Sequence, residues 1–210
     1  PALAGDTTNG WGSASYLFYF ANLGMTNFSY QYDFEKVGTL SFGAQHLGYG
    51  QIEGYDAIGV ATGKFTSSET ALFIGKSHRL NNFGLGVNMK GVFSNMAGYR
   101  ANAILFDLGG VFIHPQQDLK VGLVIKNFGF LLSEYSETST TRLPFDVQAG
   151  VTFKPEHMPV RFSFTVHHLT TPDILYDSSI DESERASTLD KVIAHFNLGA
   201  ELLVHKNVNL

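Results

Sequence analysis

The sequence predicts an all-β protein, a transmembrane antiparallel up-and-down β-barrel, and three observations predict it. Apolar and polar residues alternate with period two along most of the chain. The connections between the alternating runs are tight and long by turns. Charged residues make up only 16% of a chain that is 44% hydrophobic, against about 25% charged in an ordinary soluble domain.

The alternation is clearest in Asn27-Phe28-Ser29-Tyr30-Gln31-Tyr32-Asp33-Phe34, where every even position is aromatic and every odd one polar. The same pattern runs through 83–90, 145–154, 160–167 and 194–202. Successive side chains of a strand point to opposite faces, so each run reads as a strand with one apolar and one polar face. About ten strands are expected on this reading, near 14–21, 26–34, 37–47, 68–78, 83–94, 100–114, 119–128, 144–154, 160–168 and 191–205. No segment shows a helical period. No linker divides the chain, which reads as one domain over residues 1–210.

Tight connections fall at Glu35-Lys36, Arg79 to Asn82, Pro115 to Asp118 and Pro155 to Pro159. Long ones are expected at Gly48 to Ser67, Gly129 to Leu143 and Thr170 to Asp190, with shorter ones on the same side at Asn22 to Met25 and Asn95 to Tyr99. Tight turns at one end and long loops at the other are how up-and-down membrane barrels are built.

The two faces separate this fold from a soluble sandwich. A sheet facing water would carry Lys, Glu and Thr on its polar side. Here that side holds Ser29, Gln31, Gly43, Gln45, Gly84, Gly86, Asn88, Gln148, Gly150, Asn197 and Gly199, small and amide residues that suit a crowded lumen. The apolar side has rings at both ends: Phe34, Phe83, Phe112, Phe153 and Phe162 beside tight turns, and Phe28, Phe93 and Phe145 opposite. Phe83 to Phe93 spans about 34 Å at roughly 3.4 Å per residue. Tilted by about 40°, that matches an apolar band about 25 Å tall.

Composition excludes several functions. The net charge of −5 leaves no clustered positive field for nucleic acid. Without cysteine there is no disulfide, thiolate metal site or Cys nucleophile. No apolar run reaches the roughly 18 residues of a spanning helix. The chain opens on Pro1-Ala2-Leu3-Ala4-Gly5, with neither a basic nor an apolar leader region, and stops at Asn209-Leu210 within a continuing strand pattern. It is therefore expected to be incomplete at both ends.

Motifs for chemistry are nearly absent, and no catalytic, cofactor-binding or metal-binding residue is expected. Gly84, Gly86 and Gly91 miss the dinucleotide spacing and lie inside a strand, where they ease packing. His167 and His168 are expected to point to opposite faces and so to share no ion. His195 and His205 share a face but lie about 34 Å apart at roughly 3.4 Å per residue. The acidic stretch Asp177-Ser178-Ser179-Ile180-Asp181-Glu182-Ser183-Glu184-Arg185 lacks the EF-hand order of ligands and reads as a solvated loop. Ser133 to Arg142 reads as a polar loop, either idle or available for docking.

The opening Pro1-Ala2-Leu3 is similar to the Asn-Pro-Ala motif that precedes the barrel in the FadL-like long-chain fatty-acid transporter superfamily. Phe34-Glu35-Lys36-Val37-Gly38-Thr39-Leu40, Gln45-His46-Leu47-Gly48-Tyr49-Gly50 and Val124-Ile125-Lys126-Asn127-Phe128-Gly129 carry a closer likeness. So do Leu143-Pro144-Phe145-Asp146-Val147-Gln148-Ala149-Gly150 and Val160-Arg161-Phe162-Ser163-Phe164-Thr165. Together they resemble, along nearly the whole chain, the PorQ family of the Bacteroidetes type IX secretion system, more than its PorV sibling.

That resemblance implies a FadL-like barrel of about fourteen strands, with further strands after Leu210. It implies a bacterial outer-membrane protein in contact with lipid and without enzymatic activity. Its role would be to hold the surface protein PorZ within an attachment complex shared with PorV and the sortase PorU. It carries no cofactor and no partner-binding residues that can be placed on this sequence. The alternative is a transporter of hydrophobic small molecules, which needs an apolar pocket inside the barrel and a lateral opening, whereas the inward residues look polar.

Overall fold

A computed structural model describes residues 1–4, 8–136, 142–171, 173–175, 187–205 and 208–209, with backbone alone at Ala21, His205, Val208 and Asn209. Ten strands follow one another: β1 (Gly12–Phe18), β2 (Gly24–Phe34), β3 (Gly38–Tyr55), β4 (Ala61–Leu80), β5 (Phe83–Met96), β6 (Tyr99–Ile113), β7 (Asp118–Ser133), β8 (Asp146–Lys154), β9 (Val160–Val166) and β10 (Phe196–His205). A two-residue β11 (Val208–Asn209) pairs with the end of β10. Every strand is hydrogen-bonded to the next in sequence, antiparallel, in one sheet. Among the described residues β1 pairs with β2 alone, and no pairing joins it to the last strands. No described helix is long and apolar enough to cross a membrane.

Local chemistry makes this topology, because antiparallel neighbours need only a short turn between them. The β5–β6 turn is two residues, Ala97 and Gly98, with φ of 51° and 90°. Positive φ at both positions matches the right-handed twist of the strands it joins.

All ten expected strands are present, but several boundaries move. The long loop expected from Gly48 to Ser67 is mostly strand: Gln51 pairs with Thr66, Ile52 with Phe65 and Glu53 with Lys64, and the turn is confined to 56–60. Gly48, Gly50, Gly54, Gly59 and Gly63 interrupt the side-chain pattern there and hide a ladder that the backbone makes by itself. The register slips between Gly48 and Gln51, where Gly50 takes φ 69°. Beyond this bulge the hairpin has lost both neighbours, since β2 ends its pairing at Gly48 and β5 at Ser67. It projects with Tyr55, Val60 and Ile58 exposed, Ile58 to 85%.

Likewise β7 continues through Ser133 across the expected loop start. In contrast, β10 begins only at Phe196, because residues expected as its first turn form a helix, α1 (Thr188–Ile193). Ser187 and Asp190 cap it reciprocally, each side chain accepting from the other's backbone N–H. A six-residue helix is too short to print a period on the sequence.

Burial is inverted between the faces. The buried residues, Thr39, Ser67, Ser77, Ala101, Ala103, Leu105, Asp107, Val111 and Asp146, all point to the polar face in the observed register. The apolar face is bare: Phe28, Leu72, Ile74, Met89, Leu108, Leu123, Phe162 and Leu198 are exposed. The expected ring positions fall on this bare face, and Phe83 meets Phe112 across the β5–β6 ladder with ring centroids 5.1 Å apart.

Part of the cover on the polar face is the first residues of the chain. The hydroxyl of Ser77 donates to the Ala4 carbonyl at 2.5 Å. A Cβ at Gly84 would stand 2.6 Å from the Ala2 carbonyl oxygen, one at Gly109 would stand 2.9 Å from Pro1 Cγ, and one at Gly86 would strike the Pro1 carbonyl. These glycines make a trough that backbone fills.

Candidate functional site

The centre of the polar face is organised by a bulge between β6 and β7. Phe106 pairs with Phe128 and Leu108 with Ile125, so Lys126 and Asn127 together oppose Asp107. The extra residue is accommodated by Asn127 at φ 58°, a left-handed conformation that Asn tolerates better than most residues. Turning there aims the Asn127 backbone N–H at Asp107 Oδ1, 2.9 Å away. Its side-chain amide donates to the Pro144 carbonyl at 2.9 Å and accepts from Lys90 Nζ at 2.5 Å. Lys90 also pairs with Asp107 at 2.7 Å, with side chains only 16% and 8% exposed. Every member of this network answers another, which is what holds two opposite charges in a site with little water.

Asn127→Val loses both the side-chain bonds and the tolerance for positive φ, whereas Asn127→Gly loses only the first. The valine variant is expected to be less stable than the glycine one by about 1–3 kcal/mol, read from denaturant midpoints in detergent. Equal midpoints would mean that the bulge carries no conformational demand.

Above the network lies a cavity of about 410 Å³, bounded by residues from β3 to β7 and by Leu143 and Pro144. Consecutive strands lining one cavity make the sheet concave on this side. The lining is apolar in Leu47, Val92, Ala101, Ala103, Leu105 and Leu131, with Glu69, Lys90, Tyr135 and Arg142 at its polar positions. The Tyr135 hydroxyl donates to Ser94 at 2.6 Å, and Asn102 donates to Ser133 at 3.0 Å. The described part of the Ser133–Arg142 stretch therefore folds over the polar face; 137–141 lie outside the described residues. The cavity corrects the expectation that the inward side offers no apolar pocket. Alternation breaks at the start of β6, where the inward positions are Ala101, Ala103 and Leu105.

A second group of charges sits near the tight-turn end, where Arg161 reaches Glu201 at 2.9 Å and Asp118 at 3.7 Å. These side chains are about one-third exposed, and such pairs contribute about 1 kcal/mol or less.

The histidines depart from expectation. His168 takes φ 55° rather than continuing the strand, so its ring turns back and its Nδ1 comes 2.6 Å from Nδ1 of His167. Neighbouring strand residues point apart only while the backbone stays extended. Asp146 holds the turn, accepting from the His168 N–H at 2.7 Å and from the Gln148 amide at 2.5 Å. Among the described residues no group of three or more His, Asp or Glu is placed to hold a metal ion. Gly84, Gly86 and Gly91 lie within β5 as expected. The side chain of His205 and the stretch Asp177 to Arg185 lie outside the described residues.

Lys90, Asp107 and Asn127 were not singled out from the sequence. Parity alone places Lys90 and Asp107 on the inward face among glycines and amides, a signal that could have found them. The bulge that recruits Asn127 has no such signature.

Fold and site define a class: an antiparallel up-and-down β-sheet of barrel-like architecture, bare and apolar on one side, polar and covered over its centre on the other. No known protein-family model matches the chain, and no curated protein matches it.

Proposed function

We propose that this chain is a non-enzymatic outer-membrane barrel of the PorQ type, which anchors a PorZ-like surface protein in a type IX attachment complex alongside PorU and PorV. The observation that carries the reading is the inverted burial. A continuous face of Phe, Leu, Ile and Met left bare is a solvent mismatch in water and a match in lipid. Further strands would close β1 onto the far edge and remove both open edges. The β3–β4 hairpin lies at the end with the longer connections and extends past its neighbours, which supports a rim that docks a partner.

Purification of the tagged full-length protein from its native outer membrane in gentle detergent tests this. A surface protein is expected to accompany it and to be lost when residues 51–66 are replaced by a two-residue turn. Recovery of the barrel alone would sink the anchor reading.

The lumenal cavity favours a second reading, passage of hydrophobic small molecules. Its apolar lining of Leu47, Val92, Leu105 and Leu131 suits such a cargo. A stoichiometric lipid-like molecule in the purified protein, with no protein partner, would favour transport over anchoring.

A further inference from the structure

Where the chain leaves β9 and enters β10, His195 faces a carbonyl oxygen from each of its ring nitrogens. Nδ1 lies 2.7 Å from the Lys191 carbonyl at the end of α1, and Nε2 lies 3.0 Å from the Thr171 carbonyl. A carbonyl only accepts, so both contacts are hydrogen bonds only when both nitrogens carry protons. Neutral imidazole has one N–H and must give up one of the two.

We propose that protonated His195 is a clasp, pinning Thr171 at the exit of β9 to helix α1 at the entrance of β10, and that it opens as the pH rises. Among the described residues the groups around it are few. His167 stacks on it with centroids 6.4 Å apart, and His168 stands behind His167. Asp146 of β8 is bonded to the His168 backbone rather than to His195. Asp173 and Lys191 neutralise each other at 2.5 Å, and Asp190 is engaged in the cap with Ser187.

The Thr171 carbonyl, then that of Lys191, raise the His195 pKa above its ordinary value against the lowering by desolvation, with smaller contributions from the Val192 backbone and Asp173. The sign follows from linkage. A group whose pKa is higher in the folded state stabilises fully below its unfolded value, about 6.5 for histidine. That contribution is lost as the pH climbs through the folded value. The clasp is therefore closed in mild acid and opens above about pH 6.5.

Ring-labelled histidine NMR on the full chain in detergent micelles, with amide hydrogen exchange, tests this. His195 is expected to titrate above the free-histidine value. Exchange at Ala194 and His195, corrected for intrinsic base catalysis, should rise several-fold through the same midpoint. His195→Gln should abolish that step, and His168→Asn, which keeps the left-handed backbone, should retain it. A His195 midpoint at or below the free value overturns the clasp, and this reading needs no variant to fold. So does a step that survives His195→Gln or vanishes in His168→Asn, since the His167–His168 contact would then be the switch.

Discussion

Asp107→Ala is expected to lower the unfolding free energy by about 3–5 kcal/mol, the largest single effect on this fold. The substitution leaves Lys90 charged at 16% side-chain exposure and removes the acceptor of the Asn127 N–H. The bulge and the ion pair would fail together. The cost belongs to the orphaned ammonium more than to the lost attraction, because removal of both charges spares the desolvation of each. Lys90→Met combined with Asp107→Leu should therefore recover most of the loss. Equilibrium unfolding in detergent checks both. An Asp107→Ala midpoint within about 1 kcal/mol of the parent, the range of a solvated pair, would mean that water reaches the network.

Met89→Arg carries the second large effect and bears on the membrane itself. Met89 is exposed on the bare face, midway along β5 between the rings of Phe83 and Phe93. If that face meets lipid, an arginine there stands near the bilayer midplane and costs about 2–4 kcal/mol. If it meets water, the charge is hydrated and stability changes by about 0.5 kcal/mol or less. Unfolding of the full-length protein reconstituted in bilayers separates the two. The same substitution near the tight turns, at Leu80, should cost little in either case, because the charge there reaches the interface. A neutral Met89→Arg would remove the ground for membrane insertion.

The strands were legible because parity survives wherever one face is kept apolar. Phe28, Tyr30, Tyr32 and Phe34 announce β2 without help. The distal halves of β3 and β4 were not legible. Glycine at positions 50, 54, 59 and 63 carries no side chain to mark a face, yet the backbone pairs on either side of the register slips at Gly48/Gln51 and Gly54/Tyr55. Helix α1 was hidden for the opposite reason: its stability is in one reciprocal cap at Ser187 and Asp190, a feature of two residues rather than a period. The site was half visible. Lys90 and Asp107 follow from alternation, while Asn127 enters only because a bulge shifts β7 past Asp107. His167 and His168 depart from expectation because strand geometry was extended two residues past Val166, onto His168, where the backbone turns over.

The bulge at Gly50 has a mechanical side. The sheet supports β3 and β4 laterally up to Gly48 and Ser67, and past that line the paired strands are a cantilever whose root is one left-handed glycine. From Gly50 to the turn at Asp56 the arm is about 20 Å long at about 3.3 Å per residue. A rotation of about 10° at the root, within the scatter of ordinary backbone angles, moves its tip by about 3.5 Å. The position of Tyr55 and Ile58 is thus set in part by a torsion angle far from either of them, and in part by the second slip at Gly54 and Tyr55.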